Sequence, residues 1–138
     1  MAPTPQAIVE HMLANDAFSQ WLGIRVLEIG PGRCALEMLV KPEMTNGFGI
    51  AHGGIAYSLA DSALAFAANN HGRQALSVKT AISHFEKIYP GDLLTAVATE
   101  TNLSHKLGHY HISINKGDRQ VAFFEGTVYR SSQIWNID

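Results

Sequence analysis

The chain has 138 residues, of which 46% are hydrophobic and 16% charged, and a formal net charge of -2. That length favours one domain over residues 1–138 with a usable core, and the composition excludes a disordered chain. The charge balance supplies neither a broad basic field for nucleic acid nor a polybasic helix for a membrane surface.

A first helix is expected over residues 5–15. Ile8, Val9, Met12 and Leu13 recur at helical spacing, and Pro5 suits a first turn. Phe18, Trp21 and Leu22 extend its apolar surface. Strands over 24–29 and 33–40 flank the turn signal Gly30-Pro31-Gly32. The single cysteine, Cys34, lies in the second of these among apolar neighbours and reads as a small core residue in a reducing compartment.

A second helix should start near His52-Gly53-Gly54 and end near Asn70 or Gly72. Ile55, Ala56, Leu59, Ala60, Ala63, Leu64, Ala67 and Ala68 cover most of its circumference, so it belongs inside the protein. Its polar residues Tyr57, Ser58, Asp61 and Ser62 form one stripe. Strands follow over 75–85, 93–103, 108–115 and 119–129, the last three joined by turns short enough for hairpins. Val78, Thr80, Ile82 and His84 alternate with Ser77, Lys79, Ala81 and Ser83, as on a half-buried strand. The expected order is α-β-β-α-β-β-β-β, an α+β architecture whose sheet curls round the apolar helix.

The stretch Asn46-Gly47-Phe48-Gly49-Ile50-Ala51-His52-Gly53-Gly54, followed by Asp61, carries the chemistry. A helix start leaves backbone N–H groups without intrahelical partners and carries partial positive charge. Glycine lets a ligand approach that backbone, where an N–H can stabilise a carbonyl oxygen as negative charge develops. Gly53 is the candidate donor, and His52 suits a cap at the helix start. Asp61 is a carboxylate on a largely apolar helix, placed to activate water or to attack a carbonyl itself. Eight residues at about 1.5 Å each separate Gly53 from Asp61 by roughly 12 Å, too far to share one carbonyl. Two antiparallel copies of the helix would bring one chain's Gly53 opposite the other's Asp61, so a homodimer with two shared sites is expected.

Asn46, His52-Gly53-Gly54 and Asp61 together resemble the hotdog-fold acyl-CoA thioesterases of the phenylacetic-acid-degradation type, over nearly the whole chain. The resemblance implies a curved antiparallel sheet around a long central α-helix, and dimers with a continuous sheet that pair into tetramers. It implies an acyl-CoA substrate of the phenylacetyl or hydroxyphenylacetyl kind. Gly53 would polarise the thioester carbonyl, and Asp61 would act as nucleophile or general base. Asn46 would hold water or thioester, and His52 would position the loop. Gly54, Ser77, Phe48 and Lys87 are the expected substrate contacts. The chain departs from the family's basic-residue-and-proline pattern at Phe85-Glu86-Lys87-Ile88, where Glu86 stands near the basic position.

Other readings remain at this point: a hotdog dehydratase or hydratase, or a noncatalytic acyl-CoA-binding module. No dehydratase-type His-Phe-Pro loop occurs. His105, His109 and His111 are read as exposed residues rather than zinc ligands, so no metal and no cofactor is expected. The N-terminal residues lack a signal-peptide pattern, and no stretch reaches the roughly 20 apolar residues of a membrane span. A cytoplasmic protein without nucleic-acid or membrane partners is the expectation.

Overall fold

A computed structural model describes residues 2–137. Helix α1 (Pro5–Ala14) begins where Thr4 accepts a hydrogen bond from the Ala7 N–H at 3.1 Å. Its Ile8 and Val9 are buried. A short second helix, α2 (Ala17–Leu22), follows at once and adds an element to the expected order. Asp16 caps it by accepting from the Ser19 N–H at 2.9 Å, and Gly23 ends it at φ 73°, a left-handed conformation that glycine adopts without strain. Six residues are too few for a repeating apolar stripe, so periodicity alone did not separate α2 from the loop around it.

Six antiparallel strands form one sheet in the order β1-β2-β4-β5-β6-β3. They are β1 (Arg25–Gly30), β2 (Arg33–Leu39), β3 (Arg73–His84), β4 (Leu93–Leu103), β5 (Leu107–Lys116) and β6 (Arg119–Ile134). Strand β6 runs five residues past the expected end because its last part pairs with the start of β3, where Ile134 lies opposite Arg73. Between β2 and β3 the chain passes through a 3-10 turn (Pro42–Met44) and helix α3 (Gly53–Asn69). The helix therefore crosses the sheet and delivers β3 to the edge opposite β1.

Helix α3 is the centre of the core. Its Leu59, Ala60, Ala63 and Ala67 are fully excluded from solvent, as are Leu36 of β2, Leu94 and Ala96 of β4, Ile112 and Ile114 of β5, and Phe124 of β6. Burying one such leucine contributes about 2 kcal/mol. The alanines keep the helix thin enough for the sheet to curve round it. Cys34 is buried in the same core, its thiol donating to the Ala63 carbonyl at 3.2 Å, and burial pushes its pKa up to about 12. That thiol is chemically quiet.

Two asparagines anchor the far end of α3. The Asn69 carboxamide oxygen accepts from the Ala75 N–H at 2.9 Å and from the Trp135 indole at 3.0 Å. Asn70 accepts from the Gly32 N–H at 2.9 Å and donates to the Gly30 carbonyl at 3.0 Å. These bonds tie the helix C-terminus to both edges of the sheet and leave its N-terminus facing the loop that precedes it.

Gly126 of β6 lies directly under the helix: a Cβ there would stand 2.6 Å from Cδ2 of Leu64, which is itself buried. Gly126→Val is expected to lower unfolding free energy by about 1–3 kcal/mol through overpacking. Urea denaturation measures this, and unchanged stability would mean that the helix does not press on the sheet there.

Candidate active site

The loop before α3 is held by its own backbone. A lone antiparallel bridge pairs Thr45 with Ala51, the Asn46 N–H donates to the Ile50 carbonyl at 2.8 Å, and the Gly49 N–H donates to the Asn46 carbonyl at 3.0 Å. The Asn46 carboxamide oxygen accepts from the Phe48 N–H at 2.9 Å. Its side-chain NH2 has no acceptor among the described residues and stays available to a ligand.

His52 caps α3 from an extended backbone, φ -58° and ψ 140°, with Nδ1 accepting the Gly54 N–H at 3.1 Å. The Ile55 N–H turns back to the His52 carbonyl at 2.8 Å. Gly54 thus commits its N–H to the cap, whereas the Gly53 N–H has no acceptor among the described residues. Gly53 does not adopt a positive φ, and a Cβ there would meet His84 only at 3.5 Å, an ordinary contact. Neither backbone strain nor crowding in the chain demands glycine at 53. Its lack of a side chain leaves the orphan N–H open to a ligand.

That N–H borders a cavity of about 340 Å³ lined by Asn46, Ile50, Ala51, His52, Gly53, Ala56 and residues 84–88. Ile50, Ala56, Phe85 and Ile88 make part of its wall apolar. Glu86 is engaged by Arg119, whose Nε lies 3.4 Å away. Lys87 has no ion-pair partner among the described residues and is the cation of the cavity wall.

Asp61 opens elsewhere. With Ser77 it lines a smaller cavity of about 140 Å³, walled by Leu64, Ala65, Ala75, Leu76 and Val128. Half-burial pushes its carboxyl above the ordinary range, and the nearby Asp16 charge pushes the same way. Asp16 is tied to that face of the helix: it accepts from the Ser19 hydroxyl at 2.6 Å, and the Ser19 and Ser62 hydroxyls lie 2.8 Å apart. The remaining stripe residues are also engaged, Tyr57 with the Thr80 hydroxyl at 2.7 Å and Ser58 with the Gly54 carbonyl at 2.7 Å.

Ser77 reaches this cavity through an irregularity absent from the expected alternation. It lies opposite Val128, whereas Lys79 lies opposite Thr127, so the register shifts by one residue at Val78. Ser77 and Lys79 consequently sit on opposite faces of the sheet rather than the same one. Phe48 is 89% exposed and lines neither cavity.

Six of the eight expected site residues thus fall into two groups within one chain: Asn46, His52, Gly53 and Lys87 at one cavity, Asp61 and Ser77 at the other. Gly54, its N–H spent on the cap, and Phe48 line neither. Two residues with a bearing on the site escaped sequence reasoning. Asp16 caps α2, a helix too short to show a period, and its proximity to Asp61 comes from packing between distant segments. His84 stands in phase with Ile82 and Thr80, the one available signal that it turns toward α3. Among the described residues no three metal-ligating side chains converge. His109 instead pairs with the Thr127 hydroxyl at 3.0 Å.

Residues 48–123 match the family described as the thioesterase superfamily. The chain belongs to that superfamily. It is a thioester hydrolase by class. It is 37% identical to a putative esterase of Archaeoglobus fulgidus over 129 residues, which is 93% of this chain and 84% of that protein. It is 36% identical to the acyl-coenzyme A thioesterase PaaI of Escherichia coli K12 over 120 residues, 86% of each. A solved structure of E. coli PaaI, from the phenylacetic acid degradation operon, superposes with a TM-score of 0.91 at 33% identity, covering 94% of this chain and 95% of that one. The hotdog architecture expected from the sequence is therefore present. No helix among the described residues is long and apolar enough to cross a membrane.

The raised pKa of Asp61 has a consequence for stability. The folded state holds the Asp61 proton more tightly than the unfolded chain, so stability falls as pH rises from the ordinary value of 3.8 through the raised one. Asp61→Asn removes the buried charge. It is expected to melt at a higher temperature than the parent at neutral pH and to lose that advantage at pH 3. Melting curves at the two pH values check this; an equal difference at both would contradict the assignment.

Proposed function

We propose that this protein hydrolyses acyl-CoA thioesters at sites shared between two chains. The observation that carries the reading is the division of labour along α3: an unpartnered N–H at Gly53 borders one cavity, and a half-buried carboxylate at Asp61 opens on another. About two helical turns separate them, so a second copy of the helix, running antiparallel, completes each site. Strand β3 supports that arrangement. It is the sheet edge beside the Asp61 cavity, and its Leu76 and Val78 are exposed in the single chain. Pairing β3 with β3 of a second copy extends the sheet, covers those side chains and removes an open edge. Pairing of two such dimers into a tetramer rests on the family resemblance.

In this mechanism the thioester carbonyl accepts a hydrogen bond from the Gly53 N–H, reinforced by the positive end of α3. The partner subunit's Asp61 takes a proton from water as the water oxygen attacks the carbonyl carbon. Desolvation and the Asp16 charge make that carboxylate a stronger base than an ordinary aspartate. The developing oxyanion is held at Gly53, the C–S bond breaks, and CoA leaves as the thiolate. Asn46 contributes its free NH2 to water or thioester. His52 holds the loop through its cap to Gly54, and Ser77 contacts substrate beside Asp61. Lys87 answers the CoA phosphates in place of the family's basic residue.

The acyl group we infer is an aryl-acetyl one, phenylacetyl or its ring-hydroxylated relatives. The relationship to PaaI supports it, as does the apolar wall of the Gly53 cavity. Release of free thiol from a panel of aryl and straight-chain acyl-CoA thioesters tests both activity and preference. Aryl-acetyl-CoA is expected to give the highest kcat/KM; equal turnover across the panel would remove the aryl assignment.

Gly53→Pro is a clean removal of the donor. Proline is tolerated at the first helical position, and the extended backbone of His52 suits a residue before proline. The variant is expected to fold and to lose at least about 100-fold in kcat. Asp61→Ala is expected to be inactive as well. Mixed subunits of the two variants form heterodimers with one intact site, so activity should reappear on mixing. Verified heterodimers that remain inactive would overturn the shared-site mechanism.

A further inference from the structure

The Gly53 cavity holds a polar group that this mechanism has not used. His84 is the last residue of β3, in phase with Thr80 and Ile82. Thr80 meets Tyr57 of α3 through its hydroxyl, and Ile82 packs against the core. Strand alternation therefore turns His84 to the helix side as well. Its ring lines the cavity and makes no hydrogen bond among the described residues.

Its position relative to Gly53 can be bounded. A Cβ built on Gly53 would lie 3.5 Å from His84 Nε2 and 3.6 Å from Cε1. A Cβ stands about 2.5 Å from its own backbone nitrogen, which holds Nε2 within about 6 Å of the Gly53 nitrogen. Two N–H donors that share one oxygen at about 3 Å each stand up to about 6 Å apart. One oxygen placed between them is within reach of both.

We propose that His84 is a second catalytic donor to the thioester oxygen, through Nε2–H, beside the Gly53 N–H. The inference rests on the thioesterase reading above. The neutral imidazole with its proton on Nε2 supplies the donor. As water attacks and Asp61 accepts its proton, the carbonyl π pair moves to oxygen, where both N–H groups meet it. The pair returns as the C–S bond breaks, and the sulfur leaves with the bonding electrons. The proton held by Asp61 then passes to thiolate or solvent. His84 ends the cycle with the proton it began with. A single backbone N–H leaves oxyanion lone pairs without a donor, and His84 supplies a second one from the adjacent strand.

The full chain is compared with His84→Phe and His84→Gln, with Gly53→Pro alongside. His84 is exposed and its ring makes no hydrogen bond among the described residues, so both variants are expected to melt near the parent temperature. On an aryl-acetyl-CoA, His84→Phe should lower kcat by about 100-fold with KM little changed. His84→Gln, which keeps a side-chain N–H at similar reach, should recover part of the loss. The same deficit is expected on the matching ester of an acidic aryl thiol. Parental kcat in both variants, or a glutamine variant no better than phenylalanine, overturns the proposal. A deficit that vanishes with the aryl thiol also overturns it and assigns His84 to protonating the leaving sulfur. Absence of hydrolysis by the parent protein is a separate result, which removes the thioesterase reading itself.

Discussion

Helix α3 has apolar side chains on nearly every side, and a sheet must wrap it to keep them from water. Alanines at 56, 60, 63, 67 and 68 let the strands come close, and Gly126 lets one strand pass under Leu64. Once the helix is enclosed, its polar groups have few places to emerge. One is the N-terminus, where the Gly53 N–H has no partner among the described residues. Another is the stripe through Asp61. The site's chemistry follows from where an enclosed helix still opens to solvent.

Enclosure also sets the strength of those groups. Asp61 is buried enough for desolvation to favour its protonated form, and Asp16 reinforces this from the start of α2. The Asp16–Ser19–Ser62 chain couples the N-terminal helices to the face of α3 that carries Asp61. A segment that looks like a cover for the core therefore helps set the basicity of the proposed catalytic carboxylate. At the other end of the helix, Asn69 and Asn70 lock the C-terminus to both sheet edges, so the Gly53 end keeps its position relative to β3.

On the proposed mechanism, the two cavities leave one chain chemically incomplete. Helical rise alone separates donor from base, and the fold does not bend α3 to bring them together. It leaves each half exposed beside surfaces suited to a second copy. Such an arrangement makes assembly a condition of the proposed activity. It also gives the exposed apolar residues of β3 a role, since Leu76 borders the Asp61 cavity on the edge available for pairing.

Much of this was legible in the amino-acid order because it depends on local periodicity and backbone chemistry. The apolar circumference of α3, the His52 cap position, the orphaned start at Gly53 and the isolated carboxylate at Asp61 all follow from spacing along one helix. The thioesterase family was legible because Asn46, His52-Gly53-Gly54 and Asp61 hold a specific separation. Other features depend on which segments meet across the chain, and only the tertiary structure decided them. The register shift at Val78 put Ser77 beside Asp61, although strict alternation placed it with Lys79. The crossing of α3 brought β3 to an edge and His84 against Gly53. Asp16 acts on Asp61 across 45 residues of chain. A bulge, a crossover and an electrostatic contact between distant segments leave no period in the sequence, because each is set by strand pairing and packing rather than by neighbouring residues.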